Sequence, residues 1–377
     1  MVSAISFCHF ILELFVFIYS RFCISSFRIQ LILTSKPIHI LDSAHYPLLD
    51  FYRYSAAMLV SIAHLLSKQY NIPQTELLAI IGVELFFVLS GFVLAPQLFY
   101  VTKKNSKNTL LIFLKRRWIR TVPPYCLAIL GTCLLLDYGN VLNILKFLTY
   151  TQNFISDNSE PNFFPVGWSL SIEEWFYLIA PLSLLLIRKC LNEKKTIIVT
   201  AVIYIVTLNV IRFFLNDGQD WGEEIRRSVV YRLDAIFFGI VAYQIKDKIL
   251  SIHILIALFC GLLYLAFICL NPIVLMSNVF HQNTFIFICG LTFSALILIA
   301  TEVSISNNLV VLIFRFLANI SYSIYLFHIM ILMFLAEYKL DTFSYFFSYF
   351  IIINLFSSIF YYGFELMILK NRPSYQK

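Results

Sequence analysis

The chain has 377 residues, 60% of them hydrophobic and only 13% charged, with a mean hydropathy of +0.82. An average soluble domain is about 25% charged, and a soluble fold of this size could not bury so much apolar surface, so that class is excluded. The formal charge of +7 does not call for nucleic acid, because positive charge in membrane proteins collects in cytoplasmic loops; no nucleic-acid partner is expected.

A helix needs roughly 20 mostly apolar residues to cross ~30 Å of hydrocarbon. The chain supplies many such runs, and from Ile249 to Thr301 it has no Asp, Glu, Lys or Arg. The alternating segments of a membrane β-barrel are missing from the pattern. The expected fold is therefore all-α: a polytopic helical membrane protein embedded in a lipid bilayer, with a ten-helix core. Residues 1–47 form an N-terminal extension. Its SAISFCHFILELFVFIYS run is apolar but contains Glu13 and precedes Arg21, Arg28 and Lys36, which reads as an additional membrane or interfacial helix. It has neither the preceding basic region nor the cleavage site of an ordinary signal peptide.

Ten spans follow, at 48–67, 77–100, 118–137, 168–188, 195–215, 229–246, 249–270, 284–301, 318–338 and 342–369, making a membrane domain over 48–369, with a tail at 370–377. Breaks at Asn71–Pro73, Asn271-Pro272 and Lys339–Asp341 support them. With residue 48 on the cytoplasmic side, seventeen Lys and Arg fall inside and seven outside; Arg53 and the three in the extension complete the 28 in the chain. This bias sets the orientation and makes the tail cytoplasmic. The eight cysteines form no CxxC pair and most lie in apolar runs, so they read as small hydrophobes. No metal site and no resident cofactor are expected.

Charges within a bilayer cost about 2.5–3.5 kcal/mol even on the gentlest scale, so each one within a span is a functional candidate. The first span carries RYSAAMLVSIAH. Arg53 and His64 are eleven residues apart, which is about three helical turns and ~16 Å. The two therefore share a face, with Arg53 near the cytoplasmic boundary and His64 near or beyond the midplane. The second span, GVELFFVLSG, holds Glu84 and a Ser90-Gly91 pair that reads as a helix-packing spot. Before the third lies KKNSKNTLLIFLKRRWIRTVPPY, in which Arg117 and Arg120 form an i, i+3 pair whose planar forks suit phosphate. The fourth opens PVGWSLSIEEWFYL. Its adjacent Glu173 and Glu174 point in different directions, so at most one faces a given cavity, while Trp168, Trp175 and Tyr177 fit an interfacial aromatic belt. The sixth begins YRLDAIFFG with Arg232 and Asp234, and the ninth contains ISYSIYLFH with Ser321, Tyr322, Tyr325 and His328. Arginines in the cytoplasmic half, a central histidine and outer carboxylates suit transfer from a phosphate-bearing donor inside to an acceptor outside.

These six blocks, in this order, resemble acyltransferase family 3, membrane proteins that O-acylate bacterial surface polysaccharides and other acceptors. The first block looks like that family's Arg-x10-His motif, and the resemblance runs from about 48 to 369. It implies a multi-pass protein of the bacterial inner membrane that uses acyl-CoA, commonly acetyl-CoA, as a donor substrate. The implied acceptor is a hydroxyl of O-antigen, capsule, exopolysaccharide or a lipid-linked oligosaccharide. Carried over by position, His64 is catalytic, as general base or acyl carrier, Arg53 is its partner, and Glu173 assists. Arg117 and Arg120 bind the donor. Glu84, Trp168, Ser169, Glu174, Arg232, Asp234, Ser321, Tyr322 and His328 are candidates for acceptor or cavity roles. The chain departs from some members in its extension and in showing no esterase-like domain after the last helix, so transfer in a single membrane step is the expectation. The rival reading is a transporter or flippase of lipid-linked sugars; the repeated halves common in transporters are not evident.

Overall fold

The computed structural model describes residues 45–70, 73–155, 162–216, 221–248, 251–338 and 341–375; the expected N-terminal helix lies outside them. All described elements are helical. In chain order they are α1 (Pro47–Tyr70), α2 (Pro73–Lys104), α3 (Lys107–Leu136), α4 (Val141–Leu148), α5 (Gly167–Ile187), α6 (Glu193–Leu215), α7 (Val229–Arg232) and α8 (Asp234–Ile245). They continue with α9 (Ser251–Leu270), α10 (Pro272–Ser277), α11 (Val279–Glu302), α12 (Asn308–Leu335), α13 (Thr342–Phe360) and α14 (Leu366–Leu369). Short π segments occupy Trp221–Ile225 and Tyr361–Glu365.

Each of the ten expected spans falls on one of these helices or on consecutive pieces. Among the described residues, however, only 8 helices are long and apolar enough to cross a membrane, so the count of ten is not reached on that criterion. Two elements account for the difference. Helix α1 has the length, with 24 residues, but Asp50, Arg53, His64 and Lys68 dilute its hydropathy. The span expected at 229–246 breaks at Leu233 into α7, of 4 residues, and α8, of 12, short of the ~20 that a crossing needs.

The polar helix α1 is enclosed by protein. It packs between α2 and α12, and it is tied to α13 by Tyr54 Oη donating to Asn354 Oδ1 at 2.9 Å and by the Ser61–Tyr349 hydroxyl pair at 2.5 Å. Helix α8 lies against α2 at a crossing that admits no side chain. A Cβ on Gly91 would stand 1.9 Å from Ile236 O, and one on Gly239 would stand 1.9 Å from Val88 O. The packing role expected of Gly91 is thereby met. Facing outward, α6 exposes Val202, Val206 and Val210, and α9 exposes Phe259, Leu262 and Leu263. Such apolar faces belong against lipid, with every backbone polar group satisfied inside the helix.

Candidate active site

The buried charges divide into two kinds. Glu84 on α2 accepts from Arg232 Nη2 through both carboxylate oxygens at 2.7 Å, with the two side chains 2% and 0% exposed. Arg212 on α6 grips Asp234 on α8 in a fork, Nη1 to Oδ1 at 2.8 Å and Nη2 to Oδ2 at 2.6 Å. These pairs join α2 to α7 and α6 to α8, and each charge is neutralised where it sits. None of the four residues lines the arginine-walled cavity. Arg232 does brace it from behind, because its guanidinium lies 5.7 Å from the ring of Phe87, which is a wall residue.

The cavity itself runs between α1, α2, α3, α5 and α12. At the end that the basic-residue count assigns to the cytoplasm it is lined by Arg53, Arg117 and Arg120. Among the described residues Arg53 has a carboxylate only at a loose 3.8 Å, from Asp50. Arg117 lies over the paired rings of Phe113 and Tyr177, 5.8 Å from each, and its Nε and one Nη are buried with no hydrogen-bond partner. A desolvated guanidinium whose donors are unused is costly unless an anion completes it. Pro123 and Pro124 lie within α3 just past Arg120 and remove two amide donors from the helix ladder. Nearby, the carbonyl of Thr121 accepts from Tyr322 Oη at 2.9 Å.

Farther in, Glu173 projects into the cavity and accepts from both Ser90 Oγ and Tyr177 Oη. Its neighbour Glu174 points the other way. It accepts from Thr121 Oγ1 and lines a separate groove with Lys115, Trp118 and Tyr150. The expectation that adjacent glutamates serve different spaces matches this geometry. The aromatic belt does not: Trp168 and Tyr177 are 7% and 2% exposed, Trp175 donates its indole N–H to Tyr150 O at 2.9 Å, and Trp168 lies under Arg226 at 4.9 Å. These rings are internal because α5 is packed on α2, α3 and α6.

At the outer end the cavity closes on Ser169 and Tyr325, whose hydroxyls are 2.5 Å apart. Just past Tyr325 stand two histidines. His328 Nδ1 is 2.8 Å from Tyr325 O, and His64 Nδ1 is 2.8 Å from Val60 O. Carbonyl oxygens only accept, so each Nδ1 carries its hydrogen and each Nε2 keeps a lone pair. His328 Nε2 lies 3.3 Å from His64 Nδ1, so the Nδ1–H of His64 is shared between Val60 O and His328. His64 Nε2 makes no hydrogen bond among the described residues. The arrangement holds one imidazole in a single tautomer with its basic nitrogen free.

The structure thus gathers Arg53, Arg117, Arg120, Glu173, Ser169, Ser321 and Tyr322 around one cavity and sets His64 and His328 beyond its outer closure. Glu84, Arg232 and Asp234 are held in ion pairs and Glu174 faces another groove. Ser90, Tyr177 and Tyr325 are the side chains in this constellation that the sequence reading had not placed at a site. Ser90 was legible only as half of a packing pair, and Tyr177 only as an interfacial aromatic.

With this geometry in hand, the family model described as an acyltransferase domain matches residues 46–362. The chain belongs to acyltransferase family 3. Among curated proteins it is 31% identical over 160 residues to O-acetyltransferase OatA of Staphylococcus aureus (strain NCTC 8325 / PS 47), covering 37% of this chain and 26% of that protein. Relatives in the COL and MSSA476 strains, provisionally named O-acetyltransferases, are each 26% identical over 368 residues, covering 82% of this chain and 54% of theirs. The chain therefore spans about a quarter to half the length of these relatives. No solved structure matches it.

Proposed function

We propose that this acyltransferase moves an acyl group, acetyl first among the candidates, from acyl-CoA on the cytoplasmic side to a hydroxyl of a surface polysaccharide or its lipid-linked precursor. The observation that carries the reading is a single cavity with unsatisfied arginines at one end and a histidine of fixed tautomer just beyond the other. Family membership and the names of the staphylococcal relatives support the acyl chemistry.

In this reading Arg117 and Arg120 hold the phosphates of the donor, with Arg53 extending the positive wall. The pantetheine arm lies along the cavity past Glu173, Ser90 and Tyr322. The thioester arrives at Ser169 and Tyr325, whose hydroxyl pair must part to admit it. His64 Nε2 takes the proton of the acceptor hydroxyl as the oxygen bonds to the thioester carbonyl carbon. The carbon–sulfur bond then breaks, and the thiolate leaves with the proton that His64 carried. Neutral imidazole suits this work, and a positioned base contributes about 10²–10⁴-fold. His328 orients His64 through the shared Nδ1–H.

The test is His64→Ala, assayed by NMR of the host's surface polysaccharide and by acetyl transfer from labelled acetyl-CoA in membranes. Loss of O-acetyl signals with normal membrane insertion is expected. Near-normal acetylation would refute the role of His64. Unchanged acetylation in a strain lacking the whole gene, with altered export of lipid-linked sugars, would favour the flippase reading instead.

A further inference from the structure

The segment after the last helix folds back onto the arginine end of α3. Arg116, the neighbour of Arg117, donates from Nη1 to Pro373 O, and its guanidinium lies 4.9 Å from the ring of Tyr375. Tyr375 stands against Tyr100 at 5.1 Å between centroids, and its hydroxyl reaches Gln97 Oε1 at 3.5 Å. Arg372, next to Pro373, is thereby brought among Arg116, Arg117 and Arg120, the three charges whose fields act on it most strongly. Burial first, and then these like charges, press its pKa down. None of the four arginines has a carboxylate within 4.0 Å among the described residues. Arg116 and Arg117 are 3% and 4% exposed, and each leaves its Nε and Nη2 unpartnered, as Arg372 leaves its Nε.

Such a cluster is unfavourable when empty. Four crowded guanidiniums are repelled by one another, are partly stripped of water, and have donors to spare. What stabilises it is an anion with several acceptor oxygens. Arg117 and Arg120 face the cavity, whereas Arg116 and Arg372 lie outside its lining, so the cluster offers two phosphate positions rather than one. A CoA donor carries phosphate at two places, the diphosphate bridge and the ribose 3′-phosphate beside the adenine. We propose, building on the acyl-CoA reading, that segment 371–375 is part of the donor site. Arg372 and Arg116 bind the ribose 3′-phosphate below Arg117 and Arg120, and the Tyr375–Tyr100 ring pair lies against the adenosine end. The fold-back explains why a short basic segment beyond the membrane core is held in place by α2 and α3.

The experiment titrates CoA and 3′-dephospho-CoA into the purified full chain in nanodiscs, by calorimetry. Wild type is expected to bind CoA about 10-fold or more tightly than 3′-dephospho-CoA, as a charge-assisted contact implies. Arg372→Gln should erase that preference by weakening CoA alone, and Arg372→Lys should restore part of it. A melting temperature equal to wild type shows that the variant is folded, and Tyr375→Phe gives a second, milder disturbance of the same segment. An unchanged preference in Arg372→Gln, or equal weakening of both nucleotides, would overturn the proposal. So would unchanged CoA binding together with loss of co-purified phosphatidylglycerol, which would assign the cluster to a lipid headgroup. Failure of wild type to bind either nucleotide would overturn the acyl-CoA reading itself, which is a distinguishable result.

Discussion

Two groups of arginines within the helical bundle differ in what faces them. Arg212 and Arg232 each meet a carboxylate at 2.6–2.7 Å and are 0% exposed. Arg117 and Arg120 meet no carboxylate within 4.0 Å among the described residues, and they line a cavity. In the first group the charge is cancelled inside the fold, and the pairs lock α6, α7, α8 and α2 together. In the second, cancellation is left to something that arrives. A buried charge in a membrane domain therefore marks function only when its counter-charge is not supplied by the chain.

The largest expected effect breaks the first group. Glu84→Ala leaves Arg232 buried and unpaired, a change worth about 3–5 kcal/mol, so the variant should fail to accumulate as a monodisperse protein in detergent. Removing both charges with Glu84→Leu and Arg232→Met should recover the fold, because apolar replacement of a whole buried pair is often neutral or stabilising. Recovery of monodispersity and acyl transfer together, read by gel filtration and donor turnover, would confirm that the pair is structural.

Next come the unpaired arginines. Arg117→Ala and Arg120→Ala should each raise the KM for the CoA donor by roughly 10–100-fold, the range for a lost charge-assisted contact. Neither should lower the melting temperature, since an uncompensated charge is removed. A fall in melting temperature with unchanged KM would place these residues in the structural group after all.

The adjacent carboxylates sharpen the contrast at closer range. Glu173→Gln alters the acceptor of Ser90 and Tyr177 in the cavity and should lower kcat by about 10-fold, the low side of what one positioned group contributes. Glu174→Gln faces the other groove and should leave kcat within about 2-fold of wild type, as expected of a site off the reaction path. Equal effects of the two on turnover would remove the distinction. A milder effect than that of Glu173→Gln is expected of His328→Gln. The amide can still accept the shared hydrogen of His64, so kcat should fall by no more than a few-fold at unchanged KM, whereas His328→Ala should cost about 10-fold.

Much of this was legible in the sequence, and the exceptions have physical causes. The apolar runs placed the helices because lipid demands long uninterrupted segments. Ten crossings are not reached on length and hydropathy, because α1 is a polar helix sheltered by α2 and α12 and because α7 and α8 are short. Arg53 and His64 could be read as sharing one face, since helical spacing alone decides that. Opposite directions for Glu173 and Glu174 followed from their adjacency. Pairing was not legible: Glu84 finds Arg232 across 148 positions, and nothing local to either residue signals it. Nor did spacing show that Tyr177 would leave the interface for Glu173, or that Arg372 would return to Arg116. Those contacts belong to tertiary packing, which a periodicity cannot carry.

The central claim is that paired arginines hold the fold while unpaired ones hold the donor. It is tested most directly by measuring the melting temperature and the KM for acetyl-CoA on one nanodisc preparation each of wild type, Arg120→Gln and the Glu84→Leu, Arg232→Met double variant. The account predicts a KM raised about 10-fold or more at an unchanged or higher melting temperature in Arg120→Gln, and an unchanged KM in the double variant. A destabilised Arg120→Gln with wild-type KM, or a double variant whose KM rises as far, would contradict it.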